Sequence, residues 1–409
     1  MLIYNTINNT VFQVFLQRSG DLRAIGIIAE FNPLHKGHKY LIEEAKKQGE
    51  TVICVLSSNF VQRGDTAIVE KRIRTLSALK NGTDIVIELP VLWSMSTAQN
   101  FALGAVSALK EAGCEKIIFG SEEGDIKSLS ECAEILSSNQ FSALLSEELK
   151  KGVTFAAARQ KAAEKLGAKK DILSGANNNL GLEYIIAAKS LNYNVQFETF
   201  KRIGALHDSL EEAEFVSASL LREKLKSGNF NFAEKYMPKE SFELITSENI
   251  SDIKRIETAI LGILRTKTLE ELSLLPDLSE GLQNKLFSAI RKATSLNDLY
   301  EKIKVKRYTL ARIRRLVLSA FIGADNEFFM KPLPYLRVLG FSKNGSKYLK
   351  NLKSSSVPVI TRTADINDLS ATAKKVFETE AKASDLFGLT LKTPLECGTE
   401  YTAKIIKTE

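Results

Sequence analysis

The sequence predicts an α/β protein with a parallel sheet, followed by a mainly α-helical segment. Between residues 24 and 122, short apolar runs alternate with amphipathic stretches, which is typical of a doubly wound parallel sheet. Glycine or proline follows several of these stretches, as expected where helices and strands end. Beyond about residue 230 the alternation stops, and amphipathic stretches with a helical period follow one another.

The strands and helices are assigned in chain order. Four apolar runs have the length and continuity of strands buried on both faces: 24–31, 51–58, 83–90 and 115–122. The stretches between them predict helices at 38–49, 66–82 and 97–113. After a mainly helical region we expect one further strand with its exit loop at 194–204, and a helix with a serine-rich start at 216–228.

The sequence divides into three segments. Residues 1–23 are an N-terminal extension of unknown role, which lacks the basic start and the small-residue cleavage site of a signal peptide. Residues 24–230 form the α/β domain, in which a ligand is expected at the carboxyl ends of the strands. Residues 231–409 form the mainly helical domain.

The composition and net charge of the chain limit the kinds of protein that it can be. The chain has 409 residues, of which 44% are hydrophobic and 26% charged, as in globular proteins. Its 56 basic and 49 acidic residues give a net charge of +7, which favours a polyanionic partner. The four cysteines form no CxxC pair, so no metal site is predicted, and their use fits a reducing cytoplasm. No apolar run is long enough to predict a membrane span.

The stretch FNPLHKGH, residues 31–38, holds two of the three histidines in the chain. It lies between a predicted strand and a predicted helix, whose first turn offers free N–H groups and a positive dipole end to a phosphate. Gly37 allows a ligand close to the backbone, and His35 and His38 can donate hydrogen bonds to phosphoryl oxygens. The alternatives are that both histidines merely start a helix or bind zinc, for which His207 is the only further histidine.

A second stretch, VSASLLR at residues 216–222, combines a serine-rich helix start with an arginine. Such a start can bind phosphate, although serine-capped helices are common in proteins of every class. The first stretch resembles the (T/H)xGH signature of the HIGH-type nucleotidyltransferase superfamily, and the second is similar to its ISSTxxR box. The resemblance implies a HIGH-type nucleotidyltransferase Rossmann-like parallel sheet domain followed by a mainly α-helical domain.

Longer segments resemble the bacterial tRNA(Met) cytidine acetate ligase family, from about residue 24 almost to the C-terminus. They include GIIAEFNPLHKGHKYLI, FALGAVSALKEAGCEKIIFGSE, NNNLGLEYI, KRIGALHD and YLRVLGFSKNG. The resemblance implies ATP-dependent acetylation of the wobble cytidine, C34, of elongator tRNA(Met) to N4-acetylcytidine. Acetate would be activated as acetyl-adenylate, with ATP as substrate and Mg²⁺ beside it, in the cytoplasm. It implies a catalytic segment at 24–230 and a tRNA-binding segment at 231–409, and no protein partner is inferred.

The resemblance also implies site residues. His35 and His38 would be catalytic, and which of Asn177 and Asn178 contacts the nucleotide stays open. Other residues implied for ATP binding lie at the end of the first strand and in later loops: Ile28, Ala29, Glu30, Phe31, Asn32, Pro33, Leu34, Lys36, Gly37, Lys39, Tyr40, Leu41, Gly120, Arg202, Ile203, Ser217, Ser219 and Arg222.

Three charged stretches are candidates for contact with RNA or substrate. The clearest, KIKVKRYTLARIRR, gives the residues that we expect to bind tRNA: Lys304, Lys306, Arg307, Arg312, Arg314 and Arg315. The stretch FSKNGSKYLKNLK, at 341–353, adds four lysines. The stretch NFVQRGDTAIVEKR, with Arg63, Asp65, Lys71 and Arg72, is either an active-site wall that receives the cytidine or a solvated charged helix.

Two other functions remain open from the residues alone. One is a small-molecule adenylyltransferase of the phosphopantetheine or nicotinamide nucleotide type, although such enzymes are usually much shorter. The other is a non-catalytic RNA-binding protein, which the intact HxGH stretch argues against. A class I tRNA synthetase would also have a HIGH stretch, but the sequence has no KMSKS-like loop.

Overall fold

The structure is a computed structural model that describes residues 23–48, 51–202, 216–279, 281–305 and 308–409. Apart from Arg23, the predicted N-terminal extension therefore lies outside the described residues. Among the described residues, no helix is both long enough and apolar enough to cross a membrane.

The described residues contain ten strands. Five strands come from the α/β segment and belong to the main sheet: β1 (Ala24–Ala29), β2 (Thr51–Ser57), β5 (Ile85–Leu89), β6 (Lys116–Ser121) and β7 (Gln196–Lys201). Three come from later in the chain and join the same sheet: β8 (Leu336–Ser342), β9 (Val359–Ile360) and β10 (Ile406–Thr408). The remaining two form a small hairpin: β3 (Phe60–Val61) and β4 (Asp65–Thr66).

The main sheet has the order β10-β8-β5-β2-β1-β6-β7, and β9 pairs with β8. The central strand β1 is parallel to β2 on one side and to β6 on the other. The chain runs outward from β1 through β2 and β5, then returns to β6 on the opposite side. This reversal makes the carboxyl ends of β1 and β6 a topological switch point, where doubly wound sheets bind ligands. The predicted α/β class is confirmed.

The described part of the chain contains nineteen α-helices. Those of the α/β segment are α1 (Lys36–Lys47), α2 (Lys71–Lys80), α3 (Val91–Ser94), α4 (Ala98–Glu111), α5 (Ile126–Leu136), α6 (Asn139–Lys150), α7 (Phe155–Lys165), α8 (Ala176–Ser190) and α9 (Ala218–Lys226). Those after residue 229 are α10 (Phe230–Tyr236), α11 (Lys239–Phe242), α12 (Glu257–Thr266), α13 (Leu269–Ser273), α14 (Leu282–Lys292), α15 (Leu296–Ile303), α16 (Leu310–Ile322), α17 (Lys343–Tyr348), α18 (Ala371–Gly388) and α19 (Thr399–Thr402).

Strand β2 shows why the apolar runs were recognisable as strands. Its residues Ile53 and Val55 pack into the hydrophobic cluster on one face of the sheet. The alternating residues Val52, Cys54 and Leu56 pack into the cluster on the other face. Because a strand buried on both faces needs apolar residues at every position, its sequence is a continuous apolar run.

One helix boundary differs clearly from the prediction. The helix predicted at 66–82 starts only at Lys71, because residues 60–66 form the β3–β4 hairpin. The hairpin turn contains Gly64 at φ +72°, a conformation that glycine adopts without strain. A Cβ atom there would lie 2.5 Å from Cβ of Arg314, so the turn touches α16 directly.

The later part of the chain contributes both helices and strands. Its helices α12 to α16 enclose a separate hydrophobic cluster that includes Leu264, Leu286 and Val317. Its strand β8 pairs antiparallel with β5 and so extends the sheet of the first segment. The domain boundary after residue 230 stays a prediction, and the sheet is built from both sides of it.

A buried group of charges joins the two parts. The ammonium group of Lys71 lies 2.5 Å from carboxylate oxygens of Glu88 and Glu380 and 2.6 Å from one of Glu400. Arg337 lies beside Glu88 and Glu400. All five side chains are buried. Glu88 belongs to β5, whereas Glu380 and Glu400 belong to α18 and α19, so this ion cluster ties the C-terminal helices to the sheet.

The carboxylates keep Lys71 charged despite its burial. Burial by itself lowers the pKa of Lys71, but the negative charges of Glu380, Glu400 and Glu88 outweigh it and raise that pKa above its ordinary value. Removing a single partner from such a cluster leaves buried charges without compensation.

We expect Lys71→Met to lower the free energy of unfolding by about 3–5 kcal/mol, because three buried carboxylates lose their shared cation. The matched control is Lys80→Met in the same helix, where the side chain is exposed and the change should stay within about 0.5 kcal/mol. Urea unfolding followed by circular dichroism measures both. Equal losses in the two variants would contradict the structural role of the ion cluster.

Candidate active site

The HxGH stretch forms the turn between β1 and α1. Phe31 adopts φ +45° as the chain leaves the strand, and α1 begins at Lys36 immediately after His35. The rings of His35 and His38 stack with their centroids 3.7 Å apart, and Phe31 contacts His38 edge-on. His35 is buried and His38 is half-buried. The two rings form a stacked pair at the N-terminus of α1.

Two arginines fix this turn. Arg74 of α2 donates to the carbonyl oxygen of Glu30 at 2.8 Å and to those of Ser57 and Ser58, at the ends of β1 and β2. Arg222 of α9 donates to the carbonyl oxygen of Asn32 at 2.6 Å. The Asn32 side chain in turn accepts from the backbone N–H of Ile68 at 2.7 Å. The position of the histidines therefore depends on chain segments that are distant in sequence.

Both imidazoles are held in the neutral form. Burial, with the positive charges of Arg202 and Arg222, lowers the pKa of His35 to about 3. Burial, with His35 and Arg202 nearby, likewise lowers the pKa of His38 well below its ordinary value. The backbone N–H of His35 donates to Nδ1 of His38 at 3.3 Å, which leaves the proton of the neutral His38 ring on Nε2. The ring is thus a neutral hydrogen-bond donor.

The second predicted stretch, residues 216–222, contacts the turn that holds the histidine pair. Ser217 caps α9 by accepting from the backbone N–H of Leu220 at 3.2 Å. Arg222 is buried and donates both to Ser219 and to the HxGH turn, so the two stretches are brought together. Burial and the nearby Arg63 lower the pKa of Arg222 to about 10, which still leaves it charged at neutral pH.

Arg63 adds a third positive group. The β3–β4 turn directs its guanidinium to Ser219, 3.3 Å away, and to Glu30, 3.9 Å away. Its Nε atom is buried and has no hydrogen-bond partner among the described residues. Of the stretch predicted as an active-site wall, Arg63 therefore reaches the site, whereas Lys71 is buried in the ion cluster and is neither a wall nor a solvated residue.

Gly120 and Arg202 are neighbours at the end of β6. Gly120 lies opposite Phe200 in the β6–β7 ladder, and a Cβ atom at residue 120 would lie 3.3 Å from Cγ of Arg202. The positive charge of Arg202 contributes to the lowered pKa values of both His35 and His38. Ile203, predicted beside it, lies outside the described residues.

The two asparagines have different roles in the fold. Asn178 is buried, donates to the carbonyl oxygen of Ile172 at 3.0 Å and accepts from the N–H of Glu123 at 2.9 Å. Asn177 is half-buried and donates to Glu122 at 2.6 Å. Because Asn178 is used on both ends of its amide, Asn177 is the better placed of the two to reach a ligand.

The segment 28–41 divides into supporting and accessible residues. Those that are buried shape the turn from inside: Ile28, Ala29, Phe31, Asn32, Pro33, Leu34 and His35. Those that are half-buried or exposed can face a ligand: Glu30, Lys36, Gly37, His38, Lys39, Tyr40 and Leu41. Tyr40 is 41% exposed and contacts Phe200 edge-on, which closes one side of the turn.

The residues predicted to bind tRNA are largely occupied by the protein itself. Arg312 and Arg315 form ion pairs with Asp277 at 3.3 and 3.2 Å, and Arg314 lies over the ring of Tyr300. Lys304 is exposed beside Glu301, and Lys306 and Arg307 lie outside the described residues. Arg315 also donates to the carbonyl oxygen of Gln62, so this helix braces the hairpin that carries Arg63.

One group of carboxylates among the described residues has the spacing of a metal site, namely Glu88, Glu380 and Glu400. The ammonium group of Lys71 lies between them and already supplies the positive charge. These residues therefore do not fit a metal ion bound with a nucleotide.

Arg74 was not predicted as a site residue, although it fixes both strand ends. It lies in a helix with three other basic residues, and its partners are backbone carbonyl groups. Because every residue has a carbonyl group, the sequence contained no signal that could have identified these partners.

Comparison with known proteins identifies the family of folds to which this site belongs. The family model described as HIGH Nucleotidyl Transferase matches residues 22–400. A crystal structure of Thermotoga maritima TmcAL bound with alpha-thio ATP superimposes with a TM-score of 0.86 at 28% identity. The match covers 94% of this chain and 99% of that one. The neutral histidine pair at the switch point thus lies in a HIGH-type nucleotidyl transferase fold.

Curated relatives show to which family of nucleotidyl transferases the chain belongs. A tRNA(Met) cytidine acetate ligase from Thermoanaerobacter sp. (strain X514) is 37% identical over 403 residues, covering 94% of this chain and 99% of its own. One from Clostridium acetobutylicum is 38% identical over 366 residues, covering 84% and 90%. The chain belongs to the tRNA(Met) cytidine acetate ligase family, which confirms the resemblance drawn from the motifs.

The low pKa of His35 predicts a pH-dependent stability. In the unfolded chain this imidazole binds a proton below pH 6.5, whereas in the folded protein it does so only near pH 3. Unfolding therefore takes up a proton between these values, and stability falls as the pH falls below 6.5. We expect wild type to lose about 2 kcal/mol more between pH 7 and pH 5 than His35→Asn.

Urea unfolding of both proteins at the two pH values measures this difference. Histidine-selective NMR of the wild type provides an independent control, since the chain has three histidines. Equal pH dependence in the two proteins, or a His35 signal that titrates near pH 6.5, would contradict the neutral, buried assignment.

Proposed function

We propose that this protein is an ATP-dependent ligase that acetylates the wobble cytidine, C34, of elongator tRNA(Met) to N4-acetylcytidine, with acetyl-adenylate as intermediate. The observation that carries the proposal is the stacked, neutral pair of His35 and His38 at the start of α1, faced by the charges of Arg202 and Arg222. The near full-length likeness to ligases of that name supports the choice of substrate.

In the first step, a carboxylate oxygen of acetate attacks the α-phosphorus of ATP. A bond forms between that oxygen and phosphorus, while the bond from phosphorus to the bridging oxygen breaks and pyrophosphate leaves. Negative charge on the α-phosphoryl oxygens increases during this step. Nε2–H of His38 donates to these oxygens, and a neutral donor gains strength as that charge develops.

The arginines would stabilise the negative charge of the departing pyrophosphate. Ser219 lies in the first turn of α9, where the helix dipole favours negative charge, and Arg222, one turn further on, donates to it. The Nε atom of Arg63 has no partner among the described residues, and its guanidinium lies against the same serine. We assign these groups to the β- and γ-phosphates, and His35 and Gly37 to the α-phosphate, with the adenosine beside Gly120, Asn177 and Arg202.

In the second step, N4 of the cytidine attacks the acetyl carbonyl carbon. The new bond from nitrogen to carbon forms as the bond from carbon to the phosphoryl oxygen breaks, AMP leaves, and N4 releases a proton. The described free thiols of Cys54, Cys114, Cys132 and Cys397 are compatible with a reducing cytoplasm as the place of this reaction.

Mg²⁺ is expected to arrive with ATP, because it neutralises the charge between phosphates. The carboxylate group that has metal spacing is occupied by Lys71, so we assign no protein ligands to the ion and derive no step through it. Contact of the tRNA with Lys304, which is exposed and follows α15, and with Arg314 of α16 also remains part of the proposal.

The reaction is tested by incubating the protein with ATP, radiolabelled acetate and unmodified tRNA(Met), followed by digestion to nucleosides. We expect label in N4-acetylcytidine without acetyl-CoA, and release of AMP and pyrophosphate in equal amounts. Label that appears only when acetyl-CoA is the labelled donor would contradict the mechanism.

The histidine assignment has a separate test. We expect His38→Ala to slow acetate-dependent ATP–pyrophosphate exchange by about a hundredfold or more, because a preorganised donor to the reacting phosphate is lost. Its affinity for tRNA, measured by filter binding, should stay within about twofold of wild type. The control is Lys47→Ala, an exposed residue at the end of the same helix. Normal exchange by His38→Ala would remove His38 from catalysis.

A further inference from the structure

A cavity of about 490 Å³ lies on the outer edge of β8, away from the switch point. On this edge β9 pairs with Leu336 and Arg337, and β10 pairs with residues from Gly340 onward. Among the described residues, no strand covers Val338 and Leu339 on this side, and both line the cavity. The opening is therefore a gap between two short edge strands.

The cavity has an apolar floor and a basic rim. Its apolar residues include Val338, Leu339, Ile360 and Ile405. The charged residues that line it are five basic ones and a single acidic one: Arg72, Arg337, Arg362, Lys404, Lys407 and Glu400. Such a volume accommodates a small organic group, and such a rim favours a negatively charged one.

The basic residues are not equivalent. Arg337 is buried and balanced by Glu88 and Glu400, so it belongs to the ion cluster and shapes the cavity wall. Lys404 and Lys407 are exposed. Arg362 is also exposed, but its guanidinium pairs with Asp365 at 2.9 Å. The positive charge that a ligand can reach thus comes chiefly from Lys404 and Lys407, on the solvent side of the opening.

Helix α2 connects the cavity to the candidate active site. Arg74 fixes the ends of β1 and β2, whereas Arg72 faces the cavity and donates to the carbonyl oxygen of Lys404 at 2.9 Å. Residues two apart point to nearly opposite sides of a helix. The cavity and the histidine pair therefore lie on opposite sides of the first turn of α2.

We propose that this cavity binds a nucleotide of the RNA substrate other than the cytidine that is acetylated. The base would lie on the apolar floor, and the flanking phosphates would contact Lys404 and Lys407. RNA-binding proteins commonly stack an unpaired base on an aromatic ring or on an arginine guanidinium plane, with cations on the adjoining backbone. Among the residues that line this cavity, Arg72 offers such a plane. Cations spread along an open rim suit a polymer better than a free nucleotide. This inference rests on the proposed function, because RNA is its ligand.

The test compares two double charge reversals. In Lys404→Glu/Lys407→Glu, both changes are on the rim. In the control, Lys150→Glu/Lys161→Glu, both side chains are exposed on α6 and α7, away from β8. Circular dichroism confirms folding, and acetate-dependent ATP–pyrophosphate exchange without tRNA should stay within about twofold of wild type in both.

We expect the rim variant to raise the KM for unmodified tRNA(Met) at least about tenfold with little change in kcat, and to lower the salt dependence of tRNA binding by about one to two units of log–log slope. The control should change neither. Equal KM values and slopes in the two variants would overturn the proposal.

Two further measurements distinguish RNA from a free nucleotide as the ligand, and failure of this inference from failure of the proposed function. Equilibrium dialysis with ATP alone should give one bound ATP per chain in both the wild type and the rim variant. If the wild type binds a second ATP that the rim variant loses, the ligand of the cavity is a free nucleotide and the RNA proposal is wrong. If wild type makes no acetylcytidine, the proposed function fails. Filter binding of tRNA(Met) still tests the cavity in that case, and equal binding by the two variants overturns it.

Discussion

The buried ammonium group of Lys71 is the interaction on which the arrangement of the chain depends. It holds carboxylates from β5, α18 and α19 within one small volume, and any other placement of those segments would leave a charge buried without a partner. Since Lys71 is the first residue of α2, the same contact anchors the start of that helix. Arg74, one turn further on, then fixes the ends of β1 and β2 through their carbonyl groups. The position of the histidine turn is thus linked to residues more than 300 positions later in the sequence.

The site itself is assembled from loops that share one sheet edge. The HxGH turn follows β1, Gly120 ends β6, Arg63 comes from the hairpin after β2, and Arg222 comes from a helix that packs back onto Asn32. Parallel strands bring their carboxyl ends together, so side chains distant in sequence meet without long excursions of the chain. In this chain the strand-end loops therefore meet residues from a hairpin and from a later helix at one edge of the sheet.

The sequence predicted those features that depend on local pattern. Continuous apolar runs revealed β1 and β2 because both of their faces are buried, and the HxGH stretch identified the turn between β1 and α1. Features that depend on distant partners were not predicted. Lys71 looks like any charged residue near a helix start, and its carboxylate partners lie in three separate elements. The hairpin at 60–66 displaced a predicted helix start because its turn is stabilised by packing on α16. Likewise, the RNA-binding prediction for Arg312 and Arg315 could not anticipate Asp277.

The suppressed protonation of the histidine pair determines how the candidate active site responds to a change of pH. With the imidazole of His35 neutral down to about pH 3, and that of His38 also far below its ordinary range, the electrostatic field at the strand ends comes from guanidinium groups that remain charged. Mild acidification therefore adds no proton to either ring, and the charge that the histidine pair presents at the strand ends stays the same.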